Sequence, residues 1–144
     1  METVLTVLHV VAAVFLVGPM AVLPMTAMRA VRTGNAPVVQ LLATSTRVFS
    51  LASIVVAVLG FGVLGVLGKK EDVSVGTGWV LTSVLLYLVA LALSLLVVVP
   101  ALKRAGGELA GGRSASALYG RIAAGSGIVS LLLIAVTVLM VWRP

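Results

Sequence analysis

Hydrophobic residues in this chain do not alternate with polar ones. They run in four long blocks, with the charges collected between them. The blocks extend from about Val4 to Met28, Val48 to Leu67, Trp79 to Leu102 and Ile122 to Trp142, and no Asp, Glu, Lys or Arg lies inside any of them. A helix needs ~20 residues to cross the apolar core of a bilayer, and each block reaches that length. A membrane barrel is excluded, because its strands would alternate apolar and polar positions. The pattern predicts an all-α, integral membrane four-helix bundle that forms a single domain over residues 1–144.

Composition sharpens this. The chain is 61% hydrophobic and 10% charged, with a mean hydropathy of +1.27. Soluble domains carry roughly a quarter charged residues, so a water-soluble globule is excluded. A net charge of +6 would admit a nucleic-acid partner, but the ten basic residues sit in short groups at block ends. There they act as topology signals and lipid-headgroup contacts rather than a phosphate-tracking face, so no nucleic-acid partner is expected. With no cysteine, disulfides, iron–sulfur clusters and thiolate metal sites are excluded. The first block follows Glu2 with no Lys or Arg before it and is too long for a signal-peptide core, so it is expected to stay as a helix.

Orientation follows from the basic residues of the short loops. Arg29, Arg32 and Arg47 flank the first link, and Lys103, Arg104, Arg113 and Arg121 the third. Lys69, Lys70 and Arg143 lie on the other side, the first two beside Glu71 and Asp72. The excess predicts a multi-pass protein of the plasma membrane with segments 29–47 and 103–121 cytoplasmic and both termini outside. Trp79 and Trp142 then share the outer interface, where aromatic belts form. Thr33-Gly34-Asn35-Ala36-Pro37 reads as a turn, Val38 to Thr46 as a mildly amphipathic extension of the second helix, and Ala105 to Arg113 as a flexible, glycine-rich link.

Small residues mark where helices approach closely in lipid. Gly60, Gly62, Gly65 and Gly68 in the second block, and the pairs Gly120/Ala124 and Ala123/Gly127 in the fourth, are candidates for bundle packing or for docking a partner helix. In the first block Pro19 and Pro24 each remove a backbone donor and predict a bend. Such a bend fits either plain packing or space for a lipid, a quinone or a neighbouring subunit.

His9, the only histidine, lies in the outer part of the first block. A polar ring at membrane depth faces protein or an aqueous cavity. Three roles stay open: a hydrogen-bonded structural group, a contact or ligand shared with another subunit, and a self-contained metal site. A bis-histidine haem would need a second histidine, and Met20 and Met25 lie too far along the helix to share an iron with His9. No carboxylate or lysine stands in a span, so no general acid–base pair or Ser-His-Asp triad can be assembled and no catalytic residue is expected. No cofactor or metal is assigned.

The run Leu8-His9-Val10-Val11-Ala12-Ala13-Val14-Phe15-Leu16-Val17-Gly18 resembles the first helix of a group of small four-helix bacterial membrane proteins of unknown function. That group is similar in outline to the membrane domain of copper-resistance proteins, whose further histidines this chain lacks. The continuation Gly18-Pro19-Met20, Leu23-Pro24-Met25 and Met28-Arg29-Ala30 resembles the actinobacterial accessory subunit of haem-copper cytochrome c oxidase. The resemblance covers the chain as topology and about Leu8 to Ala30 as motif. It matches His9 to the group's histidine and Gly18 to its glycine. It implies a non-catalytic subunit of a respiratory membrane complex, in contact with lipids and other membrane subunits of a bc–oxidase supercomplex. Two alternatives stand beside it: a stand-alone haem-, copper- or quinone-handling protein using His9, and a small dimeric transporter.

Overall fold

The computed structural model describes all residues from Met1 to Pro144. Four helices carry the chain: α1 (Glu2–Arg32), α2 (Ala36–Glu71), α3 (Gly78–Ala110) and α4 (Ser116–Trp142), each long and apolar enough to cross a membrane. No strand is present. The all-helical four-span fold therefore stands as the hydrophobic pattern predicts.

Each helix outruns its apolar block at one end or both. At ~1.5 Å per residue α2 is about 54 Å long, well beyond the ~30 Å of a bilayer core. The predicted extension of the second helix over Val38–Thr46 is part of it, starting at Ala36. Its entry is built by the local sequence. Gly34 turns the chain at φ +70°, Asn35 caps the helix by accepting from the Val38 N–H at 3.4 Å, and Pro37 occupies the first turn, where no N–H is missed. At the other end Asp72 takes a left-handed conformation, and the Val73 N–H returns to the Gly68 carbonyl at 3.0 Å. Gly68 serves this exit, since a side chain there would run into the Val73 carbonyl.

The glycine-rich link after the third block is not a loop. Helix α3 continues through Ala110, and Gly106 is buried because α2 passes beside it. A Cβ at Gly106 would lie 2.7 Å from Gln40 Cγ, and the Gln40 side-chain amide donates to the Gly106 carbonyl at 3.4 Å. Glycine here admits a neighbouring helix, and the packing outweighs its low helix propensity.

Two helices contain a π-helical turn, at Ala13–Val17 in α1 and Ser94–Val98 in α3. In each the bond spans five residues, from Gly18 N–H to Ala13 C=O and from Val99 N–H to Ser94 C=O. Proline follows two residues later in both, Pro19 and Pro100. Proline offers no N–H and crowds the carbonyl one turn back, and the widened turn absorbs that conflict. The bend predicted from Pro19 thus takes the form of a π turn, whereas Pro24 is accommodated and buried inside the helix.

Around the bundle, α1 packs on α2 and α4, and α3 packs on α2 and α4. Beyond the π turns the arrangement loosens. The Glu2–Ala12 part of α1 packs chiefly on α2, and the Gly78–Leu93 part of α3 chiefly on α4. The end carrying both termini is tied by ion pairs from Lys70 to Glu2 at 2.5 Å and from Arg143 to Glu71 at 3.1 Å. Both termini and the 72–77 turn therefore share one end, and the basic links share the other.

Candidate functional site: the His9 seat and the serine seam

His9 stands near the end of the first helical stretch of α1, facing α2. Its Nδ1 lies 2.9 Å from the Val56 carbonyl oxygen. A carbonyl only accepts, so Nδ1 carries the proton and donates, and in the neutral ring the lone pair falls on Nε2. Gly60, one turn beyond Val56, makes room for the ring: a Cβ there would lie 2.9 Å from His9 Cε1. The sequence reading singled out both residues, and the structure joins them in one seat. Nε2 makes no hydrogen bond inside the chain, and the ring is only half-buried.

A second polar feature lies along the α2–α3 seam. Ser50 and Ser94 share a hydrogen bond of 2.7 Å, both fully buried. Ser53 donates to the Ser50 carbonyl at 2.7 Å and so accepts from the Tyr87 hydroxyl at 2.8 Å. Ser94 opens the π turn of α3, which places its side chain against α2. On the opposite seam Ser130 of α4 donates to the Ala21 carbonyl of α1 at 3.1 Å, and the Ser126 hydroxyl lies 3.9 Å from Met28 Sδ. No buried side-chain nitrogen or oxygen lacks a partner, as a low-dielectric interior demands.

The other candidates fall into two sets. Pro24 is buried in the bundle. Gly18, Gly62, Gly65, Gly120 and Gly127 would present a Cβ to open space, and Ala124 is exposed. They are available to lipid or to another chain rather than used in this one. The close approach in α4 is made instead by Gly125, where a Cβ would stand 2.9 Å from Val98 Cγ2. Counting four-residue spacings from Gly120 or Ala123 passes over this residue, and only the register of α4 against α3 reveals it. Pro100 was equally silent in the sequence, although it repeats the environment of Pro19.

Chemically, the spans offer hydroxyls, one imidazole and backbone carbonyls. No three His, Cys, Asp or Glu side chains gather anywhere in the chain. Fold and site together define a small integral membrane protein built as a four-helix bundle. The chain belongs to the family described as "Predicted integral membrane protein (DUF2269)", whose model matches residues 3–144. No curated protein and no solved structure matches it.

Proposed function

We propose that this protein is a non-catalytic accessory subunit of a respiratory membrane complex, cytochrome c oxidase in a bc–oxidase supercomplex. The observation that carries the reading is the bareness of α1. Only 6% of its apolar stretch is buried, against 28% for α3 and α4, and no residue from Glu2 to Val17 is buried. Val4, Val7, Val11, Val14 and Phe15 all lie on the outside. A span so thinly covered by its own chain is suited to cover a neighbour. The resemblance of Leu8 to Ala30 to the oxidase subunit falls on this same helix. We place the basic end in the cytoplasm, following the excess of Lys and Arg there.

The test is purification through a C-terminal tag in mild detergent, with mass spectrometry of what remains bound. Near-stoichiometric recovery of oxidase and cytochrome bc subunits is the expected result. Recovery of this chain alone discards the reading. Asn35→Cys should resist labelling from outside intact cells while Thr77→Cys is labelled, and the reverse pattern overturns the orientation.

The His9 seat favours one other reading, a haem or copper held through the Nε2 lone pair, or a quinone bound in its quinol form with a hydroxyl donating to Nε2. Ligand histidines commonly donate their second ring nitrogen to a backbone carbonyl, as Nδ1 does here to Val56. Under this reading a His9→Ala protein loses a bound chromophore that the wild type carries.

A further inference from the structure

At the basic end, the α3–α4 seam opens into a cavity of about 410 Å³ lined by Leu96, Val97, Pro100, Ala101, Arg104 and Arg121. Leu96, Val97, Pro100 and Ala101 give it one apolar wall and the two arginines a polar one, and Leu96 is 75% exposed, so the mouth faces the lipid side of the bundle. Two guanidinium groups share this one recess. Neither forms an ion pair or a side-chain hydrogen bond within the chain, whose three ion pairs involve other residues.

The distribution of acids explains why no internal partner exists. Glu2, Glu71 and Asp72 lie at the opposite end of the bundle, and the fourth carboxylate, Glu108, is held by Arg113 at 2.5 Å. Two like charges beside one apolar groove repel each other until an anion enters between them.

Depth narrows the anion. Val98 faces Gly125 across the seam, and this register puts Arg104 and Arg121 at about the same level. Counting the ~20 residues of a bilayer core back from Trp142 along α4 ends at Ile122, next to Arg121. The arginines therefore stand where the apolar core gives way to headgroups. A guanidinium fork matches phosphate oxygens geometrically, and a basic recess between spans is a headgroup seat.

We propose that this recess binds one anionic phospholipid, with its phosphate held by Arg104 and Arg121 and an acyl chain laid along Leu96, Val97 and Pro100. The apolar wall selects a lipid over free phosphate. The missing carboxylate selects an anionic headgroup over a zwitterionic one, whose ammonium would find no counter-charge.

The test titrates the full chain in detergent with phosphatidylglycerol, phosphatidylcholine or inorganic phosphate, read by native mass spectrometry. At about fivefold in affinity for each basic residue near a membrane surface, R104Q/R121Q should bind phosphatidylglycerol roughly thirtyfold more weakly than wild type. The variant R29Q/K103Q, which loses the same charge elsewhere at this end, should bind as wild type does. Should R104Q/R121Q fail to fold, the single variants R104Q and R121Q should each lose about fivefold. Undiminished binding by the R104Q/R121Q or single variants, or an equal loss in R29Q/K103Q, overturns the site. Equal retention of phosphatidylcholine overturns the anionic preference, and displacement of the lipid by millimolar phosphate shows a free-anion site instead.

Discussion

The two halves of the bundle are packed by different forces. In the basic half, Ala27, Ala30, Val31, Val39, Ala43, Leu102, Ala105, Ala115 and Ile122 are buried, and all four helices contribute to that core. In the half that carries the termini Val56, Gly68, Val80, Ser83, Ala90 and Leu133 are buried, and none of them belongs to α1. Helix α2 between Ala36 and Arg47, and α3 beyond Leu102, reach past the apolar blocks into headgroups and water. There the hydrophobic effect drives apolar side chains together. Inside the bilayer, lipid tails solvate a leucine as well as another leucine does, so only close backbone approach and hydrogen bonds hold helices together. The chain is tighter toward the basic end than toward the end that carries the termini, where α1 contributes no buried residue.

The comparison can be broken most directly at Leu102, which has no exposed surface. Leu102→Ala should cost ~2–5 kcal/mol of stability, whereas Phe15→Ala, on the bare face of α1, should change it by less than ~0.5 kcal/mol. Thermal unfolding in detergent checks both, and equal losses would mean that both halves are packed alike. Next comes Gly125→Leu, which drives a side chain into Val98 and should cost ~1–3 kcal/mol, measured by the same melt. His9→Ala removes the bond to Val56 and leaves Gly60 facing a void, a loss of about 1 kcal/mol. Gly60→Val should cost as much or more by displacing the ring. Smaller again is Ser50→Ala, which strips Ser94 of its partner for ~0.6 kcal/mol, the average found for hydrogen bonds between spans.

The spans were legible because hydrophobic blocks bounded by charge have few alternatives in a bilayer. The turn at Gly34-Asn35 was legible for a local reason, a capping side chain followed by proline. The segment Ala105 to Arg113 misled because glycine signals both flexibility and close contact, and Gln40, which decides between them, lies far away in sequence. His9 and Gly60 could each be singled out as odd residues in their blocks. That they meet depends on the stagger of α1 against α2, which no single block encodes. The Arg104–Arg121 recess was hidden similarly: both arginines counted toward topology, and only the α3–α4 register sets them side by side.

The π turns carry a consequence of helical phase. Each holds a residue more than an α-helical turn would, which rotates everything on one side by ~100° relative to the other. In α1 the face that carries His9 is therefore not the continuation of the stripe that carries Met20, Ala27 and Ala30 toward the core. Deleting one residue from Ala13–Val17 would let α1 close as a regular α-helix with both faces left where they are. Regularising the turn with all its residues kept would instead align the two stripes by swinging the imidazole ~100° off Val56 and out of its glycine seat.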